Sequence, residues 1–204
     1  SLSSQTSAIN QQLSPRPTVD LLYQLTGIAF ALVPVALALW LLHGRPIGLD
    51  IRRPWRDLAL GAGLAALIGI PGLGFYLLGR QLGVTADVVA SGLDLHWWTV
   101  PVLLLAALKN GLLEEVVIVG YLMERLRDLG WRPWAIISTS AVLRGAYHLY
   151  QGIGPFFGNL VMGLVLGWYY HRTRRVMPLV VAHTLLDVVA FLGYALLPGL
   201  ASRL

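Results

Sequence analysis

Six apolar runs, Leu21 to His43, Asp57 to Gly79, Trp97 to Glu124, Pro133 to Gln151, Pro155 to His171 and Val176 to Pro198, divide almost the whole of this 204-residue chain. Each is close to the roughly 20 residues an α-helix needs to cross a hydrocarbon core about 30 Å thick. Inside lipid the backbone must satisfy its own hydrogen bonds, so runs of this length predict helices and not strands. The expected fold is all-α, a polytopic transmembrane helical bundle of about six spans. Residues 1–20 read as a polar N-terminal tail and residues 21–204 as a single membrane domain. Charged residues make up only 12% of the chain, against about 25% in soluble domains, which excludes an ordinary water-soluble fold. The tail carries Pro15 and Pro17 and a Ser/Gln-rich start. It has no basic segment leading into a short apolar stretch and cleavage site, so the first run is expected to be a lasting helix and not a signal peptide.

A formal net charge of +5 could suggest nucleic acid, but in a membrane chain basic residues normally mark cytoplasmic loops, and no nucleic-acid partner is expected. Arg16, Arg80 and Arg203 fall on the side that holds both termini. Arg45, Arg52, Arg53, Arg56, Arg125, Arg127, Arg132, Arg172, Arg174 and Arg175 fall on the other. The asymmetry predicts both termini outside and the arginine-rich loops in the cytoplasm, with a bacterial plasma membrane as the expected location. Gly158, Gly163 and Gly167 predict close helix contacts along the fifth span. Gly69, Pro71, Gly72 and Gly74 predict a break in the second. Trp55, Trp97, Trp98, Trp131 and Trp134 at span ends read as an interfacial belt, and His43, His96 and His171, also at span ends, are given no role.

Lys109, Glu114, Glu115, Arg144, His148, His183 and Asp187 do not suit a passive bundle, because all fall inside spans. A charged residue at a helix centre costs roughly 2.5–3.5 kcal/mol on insertion scales, so such residues are paired, hydrated or functional. Lys109, beside Asn110, is read as structural. At about 1.5 Å per residue, Glu114, His148, His183 and Asp187 reach similar depths from three different spans. His183 and Asp187 are four residues apart and share a helical face, which lets the carboxylate orient the imidazole. Glu114 and Glu115 point about 100° apart, so only one faces a given cavity squarely.

The stretch Glu114-Glu115-Val116-Val117-Ile118-Val119-Gly120-Tyr121-Leu122 resembles the double-glutamate motif of the CPBP family, the CAAX prenyl endopeptidase and bacteriocin-processing membrane proteases also called Abi. Ala146-Tyr147-His148-Leu149 is similar to its second motif, and His183-Thr184-Leu185-Leu186-Asp187 to its third. The order and spacing agree over about residues 97 to 195. The resemblance implies a four-helix catalytic core, here about 97–198, and hydrolysis of a peptide bond in a membrane-associated protein or peptide. By the same resemblance Glu114 and His148 activate water, while His183 and Asp187 stabilise the oxyanion. No cofactor is favoured. Zinc held by Glu114, His148, His183 and Asp187 is the alternative, although no His-Glu-x-x-His element is present. The chain has no cysteine, which excludes thiol chemistry. A non-catalytic membrane scaffold or immunity-type relative ranks second and a small transporter third, since no internal repeat is seen.

Two positions depart from the family pattern. Val119 stands where an arginine usually follows the first glutamate by five residues, and Arg144 stands where phenylalanine usually precedes the histidine by four. If the third and fourth spans form an antiparallel hairpin, residues level with one another share the turn as their midpoint. For Glu115 and Arg144 that midpoint falls at Leu129–Gly130, inside the expected turn. Arg144 is therefore expected to pair with Glu115 and to leave Glu114 free for catalysis.

Overall fold

The structure, a computed structural model, describes residues 6–8, 10–82, 87–89 and 93–196. It is an all-α bundle, apart from one short parallel pair of strands, Thr6–Ala8 with Asp87–Val89. Arg203 and the expected end of the last span at Pro198 lie outside the described residues. The first run forms α1 (Pro17–Ala31) and α2 (Val33–Leu41), separated at Leu32. Pro34 accounts for this break, because its ring clashes with the carbonyl four residues earlier, that of Phe30. The second run forms α3 (Pro54–Gln81), which continues through Pro71. The expected interruption among Gly69, Pro71, Gly72 and Gly74 is thus absent from α3, and the broken span is the first.

The third run is composite: α4 (Thr99–Glu114), a π-helical segment (Glu115–Tyr121) and α5 (Leu122–Asp128). Val116, Val117, Ile118 and Val119 are β-branched and lose side-chain freedom in an α-helix, so leaving α geometry here is cheap. The wider turn also re-aims its backbone, and the buried Ser140 hydroxyl donates to the Ile118 carbonyl at 3.2 Å. The last three runs form α6 (Pro133–Tyr147), α7 (Ile153–Thr173) and α8 (Met177–Leu196).

Three helical stretches, Pro17–Leu41, Pro54–Gly79 and Ile153–Thr173, are long and apolar enough by themselves to cross a membrane. The chain is an integral membrane protein. α4 and α6 fall short of that standard by length, at 16 and 15 residues. The outer faces of α1, α3 and α7 expose Phe30, Leu67, Ile70 and Val161, a surface suited to lipid and not to water. Inside, Val116, Val119 and Met123 pack with Ile137, Leu166, Tyr170 and Leu179. Val119, the first departure from the motif, is a core residue. A second apolar cluster near the start of α4 includes Trp98 and Phe191. Trp98 is only 4% exposed, whereas Trp97 is 85% exposed; the belt expected at this end therefore includes Trp97 but not Trp98.

Gly163 lets α6 and α7 meet, since a Cβ there would lie 2.7 Å from the Ala141 Cα; Gly167 sits similarly against Ile137, whereas Gly158 has only distant neighbours. The arginine-rich loops gather at one end of the bundle. Buried Glu124 is ion-paired with Arg127 at 2.6 Å and accepts from Arg174 at 3.0 Å and the Tyr170 hydroxyl at 2.7 Å. Arg45 reaches Asp128 at 2.7 Å. Arg175, in the α7–α8 connection, clasps Asp57 at the start of α3 and Asp50 in the preceding loop. The backbone N–H groups of Val176 and Met177 donate to the Ile47 and Gly48 carbonyls, so the two loops are stitched together.

The Arg175 hydrogen bond and the Arg52 backbone N–H hold the Asp50 carboxyl below its ordinary 3.8, at about 2. A depressed carboxyl contributes stability that is complete above its unfolded range and is lost as pH falls through the folded value. Acidification of the detergent-solubilised protein from about pH 4 to about pH 2 should lower its melting temperature. Asp50→Asn should lose that increment of the pH dependence, as read by parallel melting curves.

Candidate active site

α4 and α8 pack closely at Gly111, where a Cβ would lie 2.7 Å from the Thr184 hydroxyl and 3.0 Å from the Val180 carbonyl oxygen. The two helices run antiparallel, so Asn110 meets Asp187 while Glu115, further along, meets His183. α6 brings Arg144 to the same place. Its guanidinium donates through one Nη to Glu115 Oε1 at 2.6 Å and through the other to Glu114 Oε2 at 3.2 Å. Arg144 and Glu115 are 0% exposed, and the Glu114 side chain is 17% exposed.

Arg144 is thus level with the double glutamate and pairs with Glu115. It also bonds Glu114, so Glu114 does not stand apart from it as the sequence led us to expect. The guanidinium presents a planar fork of donors wide enough to serve both carboxylates. The two glutamates still divide their surroundings: Glu115 turns into the protein and Glu114 keeps an open side.

His183 Nδ1 lies 2.7 Å from Glu115 Oε1, and its Nε2 lies 3.9 Å from Asp187 Oδ1. A carboxylate only accepts, so Nδ1 carries the proton. The short contact that orients the ring therefore comes from Glu115, and Asp187 stands beyond hydrogen-bond distance. Asp187 is instead held by the Asn110 amide, Nδ2 to Oδ2, at 2.7 Å. Lys109 donates to Asn110 Oδ1.

His148 caps the C-terminus of α6, with Nδ1 at 2.9 Å from the Arg144 carbonyl oxygen. A carbonyl also only accepts, which assigns the proton to Nδ1 and leaves Nε2 with a lone pair. Among the described residues no hydrogen bond joins His148 to Glu114. The Tyr147 hydroxyl does reach it, donating to Glu114 Oε2 at 2.6 Å, and its ring lies 4.7 Å from that of His148.

Tyr147 and Asn110 were not among the residues picked out from the sequence. Both were within reach of simple signals: Asn110 is one turn before Glu114 on the same face, and Tyr147 precedes a motif histidine. Among the described residues no group of three or more His, Asp or Glu side chains is placed to hold a metal ion. His183 turns Nδ1 to Glu115 and His148 turns Nδ1 to the backbone, so each ring keeps its Nε2 for other partners.

Sequence comparison agrees with the motifs. Residues 96–189 match the family model of Rce1-like type II CAAX prenyl endopeptidases. The match spans just under half of the chain and contains every ionisable residue of the site, from Lys109 to Asp187. Over these residues the chain is similar to that family. No curated protein and no solved structure matches the chain.

Arg144 offsets two carboxylates in a low-dielectric setting, and removing one partner of such a buried set typically costs about 3–5 kcal/mol. Arg144→Met should destabilise the protein by that order in reversible unfolding. Adding Glu115→Gln, which removes the stranded charge while keeping an acceptor for His183, should recover part of the loss.

Proposed function

We propose that the chain is an intramembrane endopeptidase that hydrolyses a peptide bond in a membrane-associated protein or peptide. One observation carries this reading. Glu114 is a carboxylate at membrane depth with one oxygen, Oε2, fixed by Arg144 and Tyr147 and the other, Oε1, without a protein partner among the described residues. That is the arrangement a water-activating base needs.

Glu114 Oε1 takes a proton from water as the water oxygen bonds to the scissile carbonyl carbon, and the carbonyl π electrons move onto oxygen. His148, through its Nε2 lone pair, accepts a hydrogen bond from the second hydrogen of that water, which stays on the attacking oxygen, and so aligns it. His183, as an imidazolium between Glu115 and Asp187, donates its Nε2–H to the oxyanion. Collapse of the tetrahedral species breaks the C–N bond, and Glu114 returns its proton to the leaving amine. Preorganised donors and charges in a water-poor site supply most of the stabilisation such a step requires.

We prefer the glutamate mechanism because, among the described residues, no three His, Asp or Glu side chains are grouped as a metal would require. The family match supports a prenylated chain ending in a CAAX sequence as the first substrate to test. We place the arginine-rich end of the bundle in the cytoplasm and both termini outside, as the charge asymmetry indicates.

In proteoliposomes the protein should cleave a prenylated CAAX peptide, and Glu114→Gln should keep its fold and lose turnover by at least about 10²-fold, the usual scale for a general base. Equal turnover by the two proteins would refute the assignment, and absence of cleavage by the wild type would favour the scaffold reading. Extended dialysis against a chelator should leave the rate unchanged. A rate that falls and returns with added zinc would move the protein to the metallo class.

A further inference from the structure

The site contains few uncharged donors, and nearly all of them are occupied. The Tyr147 hydroxyl donates to Glu114 and the His148 Nδ1–H to the Arg144 carbonyl. Arg144 Nε and the Thr184 hydroxyl have no hydrogen-bond partner, but both atoms are sealed from the surface. Asn110 is different. It is half-buried, its Oδ1 accepts from Lys109, and one hydrogen of Nδ2 goes to Asp187. An amide nitrogen carries two hydrogens, and the second has no partner among the described residues.

The orientation of this amide is set from both ends. Lys109 can only donate, so the atom it meets must be the carbonyl oxygen. The carboxylate of Asp187 accepts, so the atom it meets must be the nitrogen. Asn110 therefore cannot flip without placing donor against donor and acceptor against acceptor. An ammonium on the oxygen also polarises the amide and strengthens its N–H as a donor.

Asn110 and Glu114 are four residues apart on α4, with Cβ atoms expected about 5–6 Å apart on one face. A tetrahedral carbon between them places its attacking oxygen toward Glu114 and its former carbonyl oxygen toward Asn110. Asp187 itself, when ionised, cannot donate to that oxygen.

We propose that Asn110 is a catalytic residue whose second Nδ2–H stabilises the oxyanion, with Lys109 and Asp187 as the residues that position it. The assignment rests on the endopeptidase reading above and adds to it a donor that the three motifs do not contain. It also gives the lysine at membrane depth a task, since Lys109 holds the amide and has no carboxylate within 4.0 Å among the described residues.

The test uses the full chain in proteoliposomes with the prenylated CAAX peptide, together with a phosphinic analogue of that peptide whose tetrahedral phosphorus bears an anionic oxygen. Asn110→Ala should lower kcat by about 10²–10³-fold, the usual loss for one oxyanion donor, with KM nearly unchanged. Its affinity for the phosphinic analogue should fall in step with kcat/KM. Affinity for the uncleaved peptide, measured in the Glu114→Gln background, should stay the same. A purely structural asparagine would weaken both affinities together or neither. Lys109→Met, which leaves Asn110 and Asp187 in place, should lower kcat in the same direction by a smaller factor, and it carries the test if Asn110→Ala does not fold. If the wild type cleaves and Glu114→Gln does not, while Asn110→Ala keeps kcat within about threefold, the donor assignment is overturned and the endopeptidase reading stands. A larger loss in Lys109→Met than in Asn110→Ala would also overturn it, by making the ammonium the donor. A wild type that cleaves nothing removes both readings.

Discussion

A guanidinium fully enclosed by protein, at a depth where water is scarce, must be matched by negative charge nearby. In this chain Arg144 finds that charge on Glu115 and Glu114, and three spans are organised by the contact. α6 contributes the cation, the third span both carboxylates, and α8 the histidine that shares Glu115 Oε1. Breaking such a set leaves a stranded charge, which is far more expensive than the set is favourable. Its main effect is therefore on register: α4, α6 and α8 can slide past one another only by exposing an unpaired ion to hydrocarbon. Gly111 and Gly163 permit the close approach that the pairing requires. Small side chains and buried charges act together here, since lipid gives helices no apolar reason to associate.

The bundle and the depth of its polar residues could be read directly from the chain, because length and apolarity are what a bilayer selects. The level of Arg144 against Glu115 could be read as well, since an antiparallel hairpin ties residue number to height. The π-helical turn could not be. It arises from tertiary demands on a β-branched run, and neither period nor capping residues announce it. The second reach of Arg144 to Glu114 was missed for a related reason: a planar fork spans an angle that a point charge would not. Trp98 looked like Trp97 because adjacent residues share composition and depth, and only packing separates the buried one from the exposed one. Asn110 and Tyr147 escaped notice because neutral polar side chains carry little insertion cost and so raise no alarm, yet they hold Asp187 and Glu114.

The two departures from the family pattern become one change when viewed in space. Val119 occupies the apolar core among Met123, Ile137 and Leu166, and the positive charge enters from the neighbouring helix. The site keeps a cation beside the double glutamate while the third span gains an apolar contact. Charge at that location, and not its origin in the chain, is what the carboxylates require.

The π-helical segment lies between two polar assemblies on one continuous span, with Glu114 at its start and Glu124 beyond its end. Its i→i+5 bonds take in one more residue per turn of backbone than α-helical bonds, so the segment acts as a phase shifter along the helix. Glu124 faces Arg127, Arg174 and Tyr170 at the loop end of the bundle, and Glu114 faces Arg144 and Tyr147 at the candidate site, each at its own azimuth. Restoring regular α geometry at the same length would rotate one assembly against the other by about 100°, whereas losing one residue as well would bring them nearly back into phase. A change of winding alone would therefore put them out of phase even though every side chain in both was kept.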